Sequence, residues 1–369
     1  MKTNKHINEA IPARAFHPGL DIKDELQARG MPQRELAKNL GIKPSQLNEI
    51  IRGKRNITPQ LALLLEKVLG IDADYWMNAQ KQYELDKARI DEKTQKRSHA
   101  IEKWQQIKPA VPVKYFRKLK IIKDDPVADI PTLKNIYDVD DASLIPEQVN
   151  EPVPAYYRKS ERLEVDRVNL QGWKQLAKYT AKKIKPANPF NNNVKEQLSE
   201  ELQAILSENK NTKDRVKETL SKHGIILVYQ PHFEKTPVDG ISFMINGIPA
   251  IAMTLRHKRI DNFAFTLFHE LGHIFLHLSE GQAGEFVDLQ DLYRDSKDVK
   301  EKQANTFASD HLIPSDKWER FFNAHIRFND KLITDFADKI NVHPAIVFGR
   351  ICHETGNYNR KTHIEKNIK

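Results

Sequence analysis

Two histidines and a glutamate within five residues are the part of this sequence best suited to chemistry. His269 and His273 lie four positions apart in FTLFHELGHIFLHL, and Glu270 follows the first of them. Residues four apart on a helix share one face and lie about 6 Å apart along the axis, so both imidazoles can bind one metal ion. Glu270 leaves the helix about 100° from His269, where it can take a proton from metal-bound water. We therefore predict a zinc site with Glu270 as general base.

A catalytic zinc site needs a third protein ligand. His277 continues the four-residue spacing, but about 12 Å of helix axis separates it from His269, too far to share an ion bound at about 2.1 Å. The later segment EKQANTFASDHLIP offers Glu301 and Asn305, four residues apart on one helix face. We expect Glu301 to be the third ligand, Asn305 to orient one of the ligating histidines, and His277 to support the site or its helix end.

Two assignments stay open at the level of sequence. A loop before Glu301 contains other acids that could replace it: Glu285, Asp288, Asp291, Asp295 and Asp298. A donor for the oxyanion or the leaving group is also needed, and four side chains are candidates: His257, Tyr293, His311 and His343. Two histidines and one glutamate leave a coordination position for water, which is typical of catalytic zinc.

The segments around these residues predict the elements that hold them. IILVYQ (225–230), GISFMI (240–245) and PAIAMT (249–254) are short and apolar like strands, and an Asn-Gly pair between the last two predicts a hairpin. DNFAFTLFHELGHIFLHL predicts a long buried helix capped by Asp261 or Asn262. Residues 221–369 are thus predicted to be an α+β domain with a small β-sheet.

A second motif lies near the start of the chain. QRELAKNLGIKPSQLNEIIRGKRNITP has helix-turn-helix spacing, with Gly41 in the turn and Pro44 at the start of the second helix. The apolar positions expected in its core are Leu36, Ala37, Leu40, Leu47, Ile50 and Ile51. The residues of the second helix expected to point outward are Lys43, Ser45, Gln46, Asn48 and Glu49, and those nearest its start should point toward DNA bases. The side chains placed for phosphates are Gln33, Arg34, Arg52, Lys54 and Arg55.

The bulk properties allow several domains and a nucleic-acid partner. The chain has 369 residues, a formal net charge of +9 and one cysteine, Cys352, which excludes an internal disulfide. It has no apolar run of about 18 residues, and MKTNKHINEAIPARAFHPG lacks the apolar segment of a secretory signal, so we expect a cytoplasmic protein without membrane contact. The expected division is a helix-turn-helix domain, a charged connector helix, a helical middle region and the α+β domain, over 1–80, 81–110, 111–220 and 221–369.

Both ends of the chain resemble known families. HELGH followed by EKQANTFASDHLIP resembles the ImmA/IrrE family of zinc metallo-endopeptidase domains over roughly residues 220–360. The resemblance implies a zincin-like, gluzincin-type fold with His269, His273 and Glu301 as ligands and Glu270 as general base. Gln303 stands where many relatives have a second glutamate. Residues 16–85, from FHPG to KQYEL, are similar to the XRE-type helix-turn-helix of HigA-type antitoxins, which implies a module that dimerises and represses its own promoter.

The combination predicts a multidomain transcriptional regulator. An all-α helix-turn-helix head would bind a double-stranded operator as a homodimer, and the zinc domain would cleave or regulate a protein partner such as a toxin or a repressor. One alternative is an antitoxin or autorepressor whose metal domain is catalytically inactive. Another is a protease that uses DNA only for recruitment.

Overall fold

The chain folds into two compact units. The computed structural model describes residues 11–150, 165–278, 285–288 and 299–369, with the backbone alone described at 285–288. The units are Met1–Trp104 and Gln105–Lys369, so residues 111–220 belong to the same unit as the C-terminal domain. Within the described ranges, no helix is long and apolar enough to cross a membrane.

The described part of the first unit, residues 11–104, contains helices and no strand, as predicted. Its helices are α1 (Gly19–Ala28), α2 (Gln33–Asn39), α3 (Pro44–Ile51), α4 (Pro59–Leu69), α5 (Ala73–Ile90) and α6 (Glu92–Ile107), the last of which continues into the second unit. The charged segment 81–110 forms the end of α5 and all of α6, and Asp91 between them accepts a hydrogen bond from the Thr94 N–H at 2.9 Å. A carboxylate at that position caps the new helix.

The core of the first unit explains two of its sequence motifs. All six apolar positions predicted to face inward are buried around Trp76. In FHPG, a Cβ on Gly19 would lie 2.1 Å from the Ile50 carbonyl oxygen, so α1 packs this closely on α3 only with glycine there. Gln80, near the end of the segment 16–85, accepts a hydrogen bond from the Ile57 N–H at 3.0 Å. The motif is therefore structural at these positions.

The second unit is α+β. Its helices are α7 (Val113–Lys118), α8 (Pro126–Tyr137), α9 (Ile145–Asn150), α10 (Arg167–Ala181), α11 (Lys195–Glu208), α12 (Thr212–Lys222), α13 (Ile260–His273), α14 (Val299–Leu312), α15 (Ser315–Asn323), α16 (Asp330–Lys339) and α17 (Pro344–Thr355). Its strands are β1 (Ile226–Tyr229), β2 (Gly240–Ile245), β3 (Ile248–Met253) and β4 (Glu285–Asp288). The predicted fold class is confirmed at both ends of the chain.

The sheet is small and mixed. Its strand order is β1-β3-β2-β4, with β1 parallel to β3 and the other pairs antiparallel. The predicted hairpin joins β2 to β3. Its two turn residues, Asn246 and Gly247, have φ values of 51° and 77°. Positive φ at both turn residues is what a two-residue hairpin needs. The hairpin brings the first residue of β2, Gly240, opposite the last residue of β3, Met253.

Helix α13 crosses the core of this unit. It begins at Ile260, with Arg259 at the N-cap and no side-chain cap, so the predicted cap at Asp261 or Asn262 is wrong. Asp261 lies in the first turn and pairs with the Arg259 guanidinium (Nε–Oδ1 2.9 Å), which occupies its carboxylate. After His273 the helix widens into a π-helical turn over Ile274–Leu278. Such turns are frequent at functional sites.

Helices α13 and α14 approach each other very closely. A Cβ on Gly272 would lie 3.0 Å from the Ala304 Cα, 3.2 Å from the Phe307 Cβ and 3.3 Å from the Ala304 carbonyl oxygen. Backbone atoms cannot move aside as the end of a flexible side chain can. The pair Gly272–Ala304 therefore sets the distance between the two helices.

A Gly272→Ala substitution should lower the free energy of unfolding by about 1–3 kcal/mol, because the added methyl overpacks this contact. Helix propensity alone would change it by about 1 kcal/mol in the opposite direction. Urea unfolding measures the difference, with Thr306→Ala on the exposed side of α14 as a control expected within about 0.5 kcal/mol of the unsubstituted protein. A stabilised Gly272→Ala protein would contradict the close contact.

Candidate metal centre

Three side chains from α13 and α14 converge in the interior. The ligand atoms of His269, His273 and Glu301 all lie within 4.8 Å of one another, and all three residues are buried. The two histidine Nε2 atoms are 3.0 Å apart. The Glu301 carboxylate lies 3.3 Å from the Nε2 of His269 through Oε2 and 3.5 Å from that of His273 through Oε1. The structure thus brings together the three residues that the spacing singled out.

The donor set fits a zinc ion. Ligand atoms about 2.0–2.2 Å from a tetrahedral zinc lie roughly 3.3–3.5 Å from one another, close to the three distances between His269, His273 and Glu301. Burial lowers the pKa of His273 to about 4, so the ring is neutral near pH 7 and keeps a nitrogen lone pair. Burial alone would raise the pKa of Glu301, but the contacts of its carboxylate with the two imidazoles outweigh burial and lower the pKa to about 2. The site therefore offers a neutral His273 nitrogen and an ionised carboxylate, which are the forms that bind zinc.

A hydrogen bond fixes the orientation of His269. Its Nδ1 lies 2.9 Å from the Asn305 Oδ1. An amide oxygen only accepts, so Nδ1 of His269 carries a proton, and in the neutral ring the lone pair is then on Nε2, toward Glu301. Asn305 lies on α14 one turn after Glu301, and its contact with one of the two histidines is the one expected from the sequence.

A longer relay orients His273. The Nδ1 of His273 lies 3.0 Å from the Nδ1 of His277, whose Nε2 lies 3.0 Å from the Gln303 Oε1. Because the Gln303 oxygen only accepts, a neutral His277 carries its proton on Nε2 and accepts at Nδ1 from His273. The lone pair of His273 is then on Nε2, as metal binding requires. His277 was expected to support the site, but its partner Gln303 was missed.

Glu270 is completely buried beside the sheet. A Cβ on Gly240, the first residue of β2, would lie 2.7 Å from the Glu270 Oε1 and 3.0 Å from its Cγ. The methyl group of Thr266 would also be 2.9 Å from that Cβ. Glycine at the start of β2 therefore leaves the room that the Glu270 side chain occupies. Sequence reasoning missed this role, although a glycine opening an apolar strand often marks close approach by another group.

The remaining candidates are placed as follows. His311 Nδ1 donates to the Phe307 carbonyl at 2.9 Å, and His343 accepts from the Ala345 N–H at 3.2 Å at the start of α17, so both have structural roles. His257 is exposed on the loop before α13. Tyr293, Asp291, Asp295 and Asp298 lie outside the described residues, and Glu285 and Asp288 are described only as backbone of β4. Among the described side chains, Glu301 is the acid that meets both histidines.

Most of the residues predicted to face DNA are exposed on the helix-turn-helix domain. The exposed ones are Gln33, Arg34, Lys43, Ser45, Arg52, Lys54 and Arg55. Gln46 and Asn48 are half-buried, and the Gln46 Oε1 accepts the Lys43 N–H at 3.4 Å. Arg55 pairs with Glu49 at 3.0 Å. Gly41 has a φ of 70°, which provides the turn between α2 and α3.

Comparison with known families assigns both ends of the chain. Residues 22–76 match a helix-turn-helix family, and residues 221–347 match the IrrE N-terminal-like domain, an M78 peptidase family. Virulence-associated protein I of Dichelobacter nodosus is 41% identical over 81 residues, which are 22% of this chain and 75% of that protein. The uncharacterised HTH-type transcriptional regulator YddM of Escherichia coli K12 is 34% identical over 71 residues, 19% of this chain and 76% of that one.

Solved structures match the same N-terminal segment. An addiction module antidote protein of the HigA family from Coxiella burnetii is 36% identical, over 20% of this chain and 83% of its own, with a TM-score of 0.20. The antitoxin HigA of Pseudomonas aeruginosa, solved with the higBA promoter, is 33% identical over 20% of this chain and 83% of its own, also with a TM-score of 0.20. By its matched segments, the chain belongs to the XRE-type helix-turn-helix regulators and carries a C-terminal domain of the IrrE/ImmA-like M78 peptidase family.

Proposed function

We propose that this protein is an antitoxin-like autorepressor that binds operator DNA through α3 and hydrolyses a peptide bond in a protein partner through a zinc centre. The observation that carries the peptidase half is the meeting of His269, His273 and Glu301 at 3.0–3.5 Å, with Glu270 next to His269 on α13. The DNA half is supported by the exposed polar face of α3 and by the relatives that match it. Its site of action would be the cytoplasm, where the operator lies.

Each residue of the proposed centre has one task. His269, His273 and Glu301 would hold the ion, with Asn305 and His277 fixing the two imidazoles. When bound, zinc supplies Lewis acidity that activates a water and polarises a peptide carbonyl. Glu270, which is buried on α13 against the start of β2, accepts the proton of the attacking water and then protonates the amine that leaves. This proton transfer is the step that depends on the carboxylate.

The proposed regulator acts as a homodimer. Operator-binding helix-turn-helix proteins commonly use two copies on a two-fold site. On α4, Leu63 and Leu64 are 56% and 42% exposed, although neighbouring leucines of the same helix are buried. Adjacent exposed leucines of this kind are suited to contact with a second copy.

A second candidate is an antitoxin or autorepressor whose metal domain performs no hydrolysis. It is favoured by the N-terminal match to helix-turn-helix proteins, among them the HTH-type transcriptional regulator YddM. In this case the metal centre would stabilise the fold or the contact with a partner such as a toxin. The two candidates differ in whether Glu270 is needed.

Glu270→Gln distinguishes the candidates because it keeps the side-chain volume and removes the base. We expect the variant to bind zinc as the unsubstituted protein does, while cleavage of the partner falls by about 10²–10⁴-fold and promoter control in cells is lost with it. A promoter fusion in cells measures the regulation. A Glu270→Gln protein that regulates normally would show that hydrolysis plays no part.

The DNA-binding proposal is tested by gel shift against salt concentration, using DNA upstream of the chain's own gene. Lys54→Ala should weaken binding to all sequences and reduce the slope of log affinity against log salt by about 1, since one phosphate contact is lost. Ser45→Ala should weaken binding to the promoter more than to random DNA. Lys67→Ala, which removes an exposed lysine side chain from α4, is the matched control. Equal affinity of the unsubstituted protein for promoter and random DNA would overturn specific repression.

A further inference from the structure

Helix α13, which carries both candidate histidines, begins without a side chain to cap it. Arg259 at its N-cap has no acceptor group, and the Asp261 carboxylate is paired with the Arg259 guanidinium. The first N–H groups of a helix have no partner within the helix and need an acceptor from elsewhere. The Ile260 N–H donates to the carbonyl of Lys366 at 2.7 Å, so a segment far along the chain caps this helix.

That carbonyl belongs to an extended segment, residues 362–369, which we call the strap. The strap runs antiparallel to the residues that lead into α13, where Arg259 and Asn367 form a β-bridge. The Ile368 N–H donates to the Lys258 carbonyl at 3.1 Å. Together with the cap of α13, this bond makes a short antiparallel ladder between the strap and the start of the helix.

Burial along the strap alternates as it does in a strand with one face covered. Half-buried residues alternate with exposed ones, and the half-buried residues are Thr362, Ile364, Lys366 and Ile368. Ile364 and Ile368 pack against the hydrophobic core that α13 crosses. At the beginning of the strap, Asp330 accepts hydrogen bonds from the Thr362 hydroxyl and the His363 N–H, both at 2.8 Å. The strap is therefore held by side chains as well as by its backbone.

The strap also closes the start of α12. This helix has no side-chain cap either, and the Thr212 N–H donates to a Lys369 oxygen at 2.7 Å. The Asn209 Nδ2, just before α12, donates to the Asn367 carbonyl at 2.9 Å. One extended segment thus supplies acceptors to the first turns of two helices that the local sequence leaves uncapped.

The strap can leave its position without unfolding the core. Every one of its residues is half-buried or exposed, and residues 356–359, which connect it to α17, are all exposed. Exposed irregular segments are where local opening concentrates, since few contacts are lost there. The docked and detached positions of the strap therefore differ by little more than its own contacts.

We propose that the strap is a conformational switch on the metal centre, which binds zinc tightly while the strap is docked and more weakly once it detaches. The inference rests on the zinc centre of the proposed function. One unbroken helix carries both Ile260, which the strap caps, and the two histidines, so loss of its first turn loosens the ligands. By linkage, zinc stabilises the docked strap by the factor by which docking strengthens zinc binding.

The test replaces the two inward isoleucines in the full chain. Ile364→Asp combined with Ile368→Asp should detach the strap, because the new carboxylates regain water only when it leaves. Without metal, amide hydrogen exchange over residues 258–264, read by mass spectrometry, should become at least about 10-fold faster. Exchange over residues 127–136 of α8 should not change. Asn367→Asp combined with Lys369→Asp adds the same carboxylates on the exposed face and is the matched control.

Equilibrium dialysis measures the coupling to the metal. The inward variant should bind zinc about 10-fold more weakly than the unsubstituted protein and the control, within the range common for two coupled sites. Zinc should in turn slow exchange over residues 258–264 of the unsubstituted protein by a similar factor. If the inward variant does not fold, Ile368→Ala should shift both measurements in the same directions by about 3-fold.

The outcomes separate the strap from the centre on which the inference rests. Absence of zinc binding by the unsubstituted protein would overturn the centre and the coupling together. Equal zinc binding by the inward and control variants, with exchange accelerated only in the inward one, would overturn the coupling alone. Unchanged exchange over residues 258–264 in the inward variant would show that the strap does not hold α13.

Discussion

The close contact between Gly272 and Ala304 is the constraint on which the candidate centre depends. The three side chains come from two helices separated in sequence, so their distances are set by how near those helices lie. Because Gly272 has no side chain, the Ala304 Cα of α14 lies only 3.0 Å from where a Cβ at position 272 would be. At this distance between the helices Glu301 reaches both imidazoles. Phe268, Leu271, Phe307 and Ala308 pack in the same core and resist separation of the helices.

A second requirement is that the histidines present the correct nitrogen. Two amide oxygens, on Asn305 and Gln303, define the tautomers of three imidazoles through a network of hydrogen bonds of 2.9–3.0 Å. The π-helical turn after His273 alters the helical spacing just where His277 must meet His273. Gln303 supplies an uncharged acceptor, its amide oxygen, at the end of this relay.

The sequence predicted the parts of the centre that follow from helical spacing. His269 and His273 share a face because they are four apart, and Glu301 with Asn305 could be chosen in advance because the same spacing recurs on an amphipathic segment. The hairpin followed from Asn246-Gly247, whose backbone preference is local. The length of helix between His269 and His277 also predicted that His277 lies outside the triad, where the structure has it.

The contacts that the sequence did not predict depend on packing between distant segments. Gly240 meets Glu270 only because β2 lies against α13, and Gln303 meets His277 only through the register of α14. The cap at Asp261 failed because Arg259, two residues earlier, takes its carboxylate. The strap meets the start of α13 only when α17, which precedes it, is in its final position. None of these relations has a local signal strong enough to choose it among alternatives.

Zinc binding by the Glu301→Ala protein tests the central claim most directly. Equilibrium dialysis of the unsubstituted chain should give one tightly bound ion per chain, and Glu301→Ala should weaken that binding by at least about 100-fold, since losing a direct ligand costs more than losing a supporting group. Binding of equal strength in both proteins would contradict a centre built from His269, His273 and Glu301.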